Sequence, residues 1–179
     1  DSDDYIRSLD EWRPIAGSIE AIAKLSQAGY RIAIATNQSG LSRGYFTLDE
    51  LEQIHARLCQ LVEELEGSIA GIFYCPHLPD AGCGCRTPAT GLLTAMAAEL
   101  GLSPRGAIFI GDSLKDLQAA RSFGCRPVLV KTGKGTDTHR VLLSGKAALA
   151  DSTDIAVYDD LASAARDILW EQPAPKSDT

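Results

Sequence analysis

Apolar positions along this chain alternate between two spacings. Ile19, Ile22, Ala23 and Leu25 recur at helical intervals, opened by Ser18 as an N-cap and stopped by Gly29. They predict a helix over 19–28. Tyr30-Arg31-Ile32-Ala33-Ile34-Ala35-Thr36 follows as a short, nearly continuous apolar run, the signature of a buried parallel strand. It ends in the polar turn Thr36-Asn37-Gln38-Ser39-Gly40. Thr47-Leu48-Asp49-Glu50 is a capping box, and it opens a long helix to about Leu65. Further strands are predicted over 69–74, 107–110, 127–131 and 155–158. Helices are predicted from Thr90 or Gly91 to Leu100, from Asp112 or so to Phe123, and over 160–170, with Gly101 and Gly124 as stops. Residues 1–17 read as acidic and irregular, 132–145 as a polar loop, and 171–179 as a flexible tail.

Strands alternating with helices predict an α/β fold with a parallel sheet, in one domain over residues 1–170. In such folds ligands bind outside the carboxyl ends of the strands. Three polar stretches fall at such ends: Thr36–Ser39, the cysteine-rich stretch after Tyr74, and Gly111-Asp112.

Composition narrows the partners. The chain has 179 residues, 45% hydrophobic, with a net charge of −7. The size suits one domain with a substantial core, and the charge argues against nucleic acid or an anionic membrane as partner. No apolar run approaches the roughly 18 residues of a membrane span, and Asp1-Ser2-Asp3-Asp4 has no signal-peptide character. A reduced cysteine cluster predicts the cytoplasm. Cys59 and Cys125 sit in apolar contexts and read as core or surface thiols.

The strongest local chemistry lies between Cys75 and Pro88. Cys75-x-His77 and Cys83-x-Cys85 are two donor pairs joined by a Pro- and Gly-containing loop. Three thiolates and an imidazole suit a closed, structural zinc site, with free thiols or a disulfide as alternatives. At the other strand ends, Asp112 and Asp116 stand four residues apart and suit Mg²⁺ together with a phosphate. A carboxylate stabilising a helix N-terminus is the alternative. Thr36 and Asn37 offer a hydroxyl, an amide and turn N–H groups to phosphate oxygens, although such turns are common. Arg43 and Arg86 add cations, and a bidentate Arg suits a phosphate or sugar hydroxyl. His55, alone on a helix, reads as a packing or surface residue.

Taken together, these motifs resemble the haloacid dehalogenase-like (HAD-like) phosphatases, in particular the bacterial D-glycero-D-manno-heptose 1,7-bisphosphate 7-phosphatases. The resemblance runs from about Asp3 to Asp167. It rests on Ala35-Thr36-Asn37-Gln38-Ser39-Gly40-Leu41-Ser42-Arg43-Gly44, the Cys-Pro-His…Cys-x-Cys-Arg-x-Pro loop, and Gly111-Asp112-Ser113-x-x-Asp116. It implies a doubly wound, Rossmann-like parallel sheet without a large cap domain. It also implies removal of the 7-phosphate through an aspartyl-phosphate, in nucleotide-activated heptose and lipopolysaccharide synthesis, by a monomer whose partner is a small sugar phosphate. By the same resemblance Thr36 stabilises the phosphoryl group, and Asn37, Gln38, Ser39, Arg43 and Arg86 contact substrate. Asp112, supported by Asp116, binds Mg²⁺, and Cys75, His77, Cys83 and Cys85 bind zinc. The segment Asp1–Tyr5 matches a part of the family that also touches substrate.

The chain departs from the family pattern twice. The family opens with a central apolar strand ending in Asp-x-Asp-Gly, whose aspartates are nucleophile and general acid. Residues 1–179 carry no such strand, since Asp1-Ser2-Asp3 lacks the preceding apolar run and following glycine. Without it, two flanking strands expose backbone groups, and the chain as printed is expected to fold poorly or not to catalyse. The family's lysine after Arg86 is here Thr87. Loss of a positioned cation costs about 10²–10³ in rate. Two alternatives stay open: a histidinol-phosphate phosphatase, and a non-catalytic, zinc-stabilised binding domain.

Overall fold

The computed structural model describes residues 5–145 and 154–171. The expected tail after Glu171 and the aspartates at positions 1, 3 and 4 lie outside the described residues. Within them the order is α1 (Ser18–Gln27), β1 (Ala33–Asn37), α2 (Ser39–Arg43), α3 (Leu48–Glu63), β2 (Gly71–Cys75) and α4 (Gly91–Leu100). Then follow β3 (Ile108–Gly111), α5 (Leu114–Phe123), β4 (Arg126–Val130), α6 (Gly135–Leu143), β5 (Ala156–Tyr158) and α7 (Leu161–Glu171).

Most helix boundaries have a local cause. Thr47 caps α3 by a reciprocal capping box with Glu50, and Ser113 caps α5 in the same way with Asp116. Gly101 and Gly124 close α4 and α5 in the left-handed conformation, which costs glycine little. The first helix is capped by Gly17 rather than Ser18, with no side-chain bond. Two helices differ from the sequence reading. The polar turn after β1 continues into the short α2, and 135–143, read as loop, forms α6. Its few apolar residues, Leu142 foremost, gain stability only by packing on Leu117, Leu129 and Ile155 from other elements.

All strand pairings are parallel. β1 pairs with β2 from Ala33↔Gly71 to Asn37↔Cys75. β4 lies between β3 and β5, with Ile110↔Val128 and Val130↔Tyr158 in register. Helices cover both faces. Alternation along β4 sends Val128 and Val130 toward Ala164 of α7 and Leu129 toward Leu117 of α5. On the first face α1 packs on α3 through Ile19, Ile22, Ala23 and Val62, and on α7 through Ala21, Leu25, Ala165 and Ile168.

Among the described residues the sheet is in two ladders, β1-β2 and β3-β4-β5. Between β1 and β3 lies a cavity of about 420 Å³ walled by Ala33–Ala35 and Ile108–Gly111. Ile22 and Leu25 of α1 and Leu93 and Met96 of α4 also line it. The space therefore lies in the plane of the sheet, between the helical layers, flanked by two strand edges that point into it. It opens at the C-terminal rim beside Asp112 and Asp116. No helix among the described residues is long and apolar enough to cross a membrane.

Candidate active site

The cysteine-histidine loop grows directly out of β2. Cys75 ends the strand and is fully buried, while His77 is exposed and Cys83 and Cys85 are half-buried. Their ligand atoms lie within 4.8 Å of one another. The Sγ atom of Cys85 is 2.9 Å from that of Cys75 and 3.4 Å from that of Cys83, and Cys75 and Cys83 are 3.6 Å apart. Nδ1 of His77 stands 3.2 Å from Cys85 Sγ and 3.6 Å from Cys75 Sγ. A disulfide needs sulfurs at about 2.05 Å, so no pair is bonded. Zn–S bonds of about 2.3 Å put the corners of a tetrahedron roughly 3.8 Å apart, and the four atoms have nearly that compactness. The donor set and its geometry thus fit one tetrahedral ion.

The thiols respond to their crowding. Burial pushes the Cys85 thiol up, and its Cys75 and Cys83 neighbours push it further, to about 12. Burial works against ionisation of Cys83 as well. Bonds from Cys85, the Arg86 backbone and Cys75 outweigh it there and bring that thiol down to about 7. One easily ionised thiol, Cys83, beside a reluctant one, Cys85, is a cluster that a cation would complete.

Four links tie this loop to its surroundings. The Gln38 N–H donates to the Cys75 carbonyl at 2.8 Å, carrying the β1-β2 ladder one step further. Ser42 Oγ donates to the Pro76 carbonyl at 2.7 Å. The Gly91 N–H donates to the Gly84 carbonyl at 2.8 Å, an approach that a Cβ at position 91 would block. Asn37 Nδ2 donates to Thr87 Oγ1 at 3.1 Å. The loop is therefore pinned against β1, α2 and α4, and Arg86 leaves it in a defined place, with Nη1 3.4 Å from the His77 carbonyl.

The other half of the site is assembled from strand ends. Thr36 and Asn37 finish β1, and Thr36 Oγ1 accepts from Gln38 Nε2 at 3.2 Å. Asn37 Oδ1 is buried and unpartnered among the described residues, an acceptor left open at the strand end. Ser39, 3% exposed, shares a 3.1 Å hydrogen bond with the Tyr5 hydroxyl. That bond lowers the Tyr5 pKa, and the positive charges of Arg43 and Arg86 add to it against the opposing effect of burial. Arg43 closes α2 and is exposed; it reaches Tyr5 but borders neither rim cavity described below.

Asp112 follows β3, outside any helix. Its Oδ2 accepts from the Lys134 backbone N–H at 2.8 Å, and its carbonyl accepts from Thr138 Oγ1 at 2.8 Å. Asp116 is placed differently from two carboxylates on one helix face. It is the third residue of α5, and its Oδ2 accepts from the Ser113 hydroxyl at 2.6 Å and the Ser113 N–H at 3.2 Å. The helix-capping role weighed for it is thus present. Even so, its carboxyl borders the same cavity as Asp112, and Gly111 allows the approach, since a Cβ there would lie 2.6 Å from Asp116 Cβ.

Two cavities meet at this rim. One of about 390 Å³ is walled by Thr36, Asn37, Arg86, Thr87, Asp112, Ser113, Asp116 and Lys134, among others. One of about 520 Å³ extends from Thr36 past Gln38 and Ser39 to Tyr5, Trp12 and His55. The sequence reading missed Lys134. Its signal was available: Lys131-Thr132-Gly133-Lys134-Gly135 follows a buried strand, just as the Thr36 and Asp112 turns do. Carboxylates, a hydroxyl, an amide and cations gathered at one rim can hold a divalent cation and a phosphate. Mg²⁺ asks for little more, since it takes one or two carboxylates and fills the rest with water and substrate oxygens.

Comparison with known proteins agrees in fold and family. A HAD-hydrolase-like family model matches residues 84–164. A D-glycero-beta-D-manno-heptose-1,7-bisphosphate 7-phosphatase of Pseudomonas aeruginosa is 53% identical, over 94% of this chain and 90% of that protein. Its namesake in Neisseria meningitidis is 41% identical, over 99% of this chain and 92% of that protein. The crystal structure of D,D-heptose 1,7-bisphosphate phosphatase from B. bronchiseptica, complexed with magnesium and phosphate, superposes with a TM-score of 0.87. It is 41% identical and covers 96% of this chain and 92% of that one.

Proposed function

Since the chain belongs to the D-glycero-beta-D-manno-heptose-1,7-bisphosphate 7-phosphatase family of HAD-like hydrolases, we propose that it removes the 7-phosphate of that sugar bisphosphate. The observation that carries the reading is the 390 Å³ rim cavity. It gathers Thr36, Asn37, Arg86 and Asp112 from separate parts of the chain onto one cavity with ample room for a phosphate.

The residues divide the work. Thr36 and the turn after β1 donate to the phosphoryl oxygens. Arg86, held by the metal loop, reads the substrate, with Gln38 and Ser39 on the wall of the larger cavity and Arg43 beside Tyr5, outside both cavities. Asp112, with Asp116 behind it, holds Mg²⁺, which when bound offsets the charge of the phosphoryl oxygens. Cys75, His77, Cys83 and Cys85 hold zinc, which fixes the loop and leaves no open coordination position. In the family's chemistry an aspartate oxygen attacks phosphorus, and the bond from phosphorus to the C7 oxygen breaks. A second aspartate protonates that oxygen, then takes a proton from the water that hydrolyses the aspartyl-phosphate. In the family the strand bearing these aspartates is central in the sheet, and the 420 Å³ cavity between β1 and β3 supports such a position. The enzyme would act in the cytoplasm, in nucleotide-activated heptose synthesis for lipopolysaccharide.

The test is a side-by-side assay of heptose 1,7-bisphosphate and histidinol phosphate with Mg²⁺. It uses residues 1–179 alone and fused to a strand ending in Leu-Asp-x-Asp-Gly. Turnover that appears with the strand and prefers the heptose supports the reading. Preference for histidinol phosphate, or inertness of the fused chain, overturns it.

A further inference from the structure

The rim must accept a phosphate dianion beside the carboxylates of Asp112 and Asp116, so its cations decide whether a phosphate can stay there. The 390 Å³ and 520 Å³ cavities have four lining residues in common: Thr36, Asn37, Arg86 and Lys134. Among the described residues that line both cavities, two are cations, and Arg86 is one. Position 87, next to Arg86 and on the wall of the smaller cavity, is neutral. The Thr87 hydroxyl accepts from Asn37 Nδ2 at 3.1 Å, so it orients the amide and contributes no charge.

Lys134 is held where a cation is wanted. Its backbone N–H donates to Asp112 Oδ2 at 2.8 Å. The next residue, Gly135, is buried against the Val130 carbonyl, where a Cβ has no room. Thr138 Oγ1 donates to the Asp112 carbonyl at 2.8 Å, and Thr136 Oγ1 to the Lys131 carbonyl at 3.2 Å. The loop after β4 is thus wrapped around Asp112, and Lys134 is among the residues that line both cavities. Lys131, on the same loop, is engaged by Asp159 at 2.9 Å. None of the ion pairs among the described residues includes Lys134.

We propose that Lys134 is a phosphate-binding residue of this site: its ammonium donates to a non-bridging phosphoryl oxygen and supplies the positive charge that Thr87 does not. No proton is transferred. The inference rests on the phosphatase reading for its substrate, but its geometry stands on the rim alone. It also accounts for tolerance of Thr87, because the cation arrives from the end of β4 rather than from the metal loop.

The test is titration calorimetry of inorganic phosphate, with Mg²⁺, into residues 1–179 fused to the strand ending in Leu-Asp-x-Asp-Gly, comparing Lys134→Ala, Lys134→Met, Lys134→Arg, Thr87→Lys and the Thr87→Lys/Lys134→Ala double variant. Each variant needs unchanged circular dichroism and melting temperature, and the Met variant keeps the aliphatic stem if Ala disturbs the loop. Removing the ammonium is expected to weaken phosphate binding about 10- to 100-fold, the size of a hydrogen bond between charged groups. Arg is expected to stay within about threefold, and Thr87→Lys to restore most of what Lys134→Ala loses. Phosphate affinity unchanged by Ala and Met overturns the proposal. So does an equal loss with and without Thr87→Lys, which would mean that Lys134 acts only by holding the loop. A chain whose phosphate binding depends on Lys134, but which fails the heptose assay, keeps this inference and loses the substrate reading. Heptose turnover with Lys134-independent phosphate binding does the reverse, and no phosphate binding at all removes both.

Discussion

The metal loop and the phosphate rim are neighbours built in opposite ways. The loop's donors come from one stretch, Cys75 to Cys85, and any turn that closes it brings them together. The rim draws Thr36 from the end of β1, Asp112 from the end of β3, Lys134 from the loop after β4 and Arg86 from beyond the metal loop. Nothing local brings these four together; the parallel sheet does, by placing the carboxyl ends of its strands side by side. The two regions meet at few atoms: Asn37 with Thr87, Gln38 with Cys75, Ser42 with Pro76. A locally specified clamp thereby sets the position of one member, Arg86, of a globally specified site. The difference teaches where each kind of damage should register: changes to the rim in turnover, changes to the loop first in stability.

The sharpest separation should come from Asp112→Asn in the chain carrying the Asp-x-Asp strand. Turnover of the sugar bisphosphate is expected to fall by about 10³-fold or more, because the metal-binding charge is lost at the reacting phosphate. The melting temperature should stay within a few degrees. A large melting shift would mean that Asp112 serves mainly to anchor the Lys134 loop.

Removing metal from the loop, by a strong chelator or by Cys85→Ser, should act in the other order. Several kcal/mol of folding free energy reside in such sites, and a chain of this size should lose roughly 10 °C of melting temperature. Turnover at low temperature should fall only about 10- to 100-fold, as Arg86 loses its fixed exit from the loop. Metal analysis by mass spectrometry before and after chelation identifies the ion. Equal melting curves with and without chelator would break the comparison.

Gly111→Ala tests the seam between β3 and α5. The added Cβ meets Asp116 Cβ at 2.6 Å, so the capping box must shift. An overpacking cost of about 1–3 kcal/mol is expected, read as a lower urea midpoint, with a parallel loss of Mg²⁺ affinity.

The smallest effect belongs to His55 on the wall of the larger cavity. Burial lowers its pKa from the ordinary 6.5, and Glu52 partly opposes this. The folded chain therefore binds fewer protons than the unfolded one as pH falls below 6.5. Its stability should decline on acidification through that window and be indifferent to His55 above it. His55→Gln should flatten this part of the stability profile, measured as urea midpoints at about pH 7.5 and about pH 5.5.

Much of this was legible in the chain. Short apolar runs marked the five strands to within a few residues, since a buried parallel strand must be apolar on both faces. A capping box announced α3 because the cap is made by residues three apart, while the equivalent box of Ser113 and Asp116 at α5 was read only from the structure. Helix α6 was not legible, because its stability comes from Leu117, Leu129 and Ile155 rather than from its own pattern. Asp116 looked like a metal ligand by spacing alone, and only the coordinates showed its Oδ2 turned to Ser113. Lys134 went unnoticed because its partner, Asp112, lies 22 residues away.

The amino-acid order by itself determined the alternation of elements, the donor set of the metal loop and the chemical types at each strand end. These depend on neighbours within a turn or two, where periodicity, capping and ligand spacing act directly. Tertiary structure decided which strand ends share a cavity, that Lys134 from the loop after β4 lines the same cavity as Thr87, and that the sheet divides between β1 and β3 around a cavity in its own plane. Those outcomes depend on strand order and register, and residues dozens of positions apart do not encode them locally.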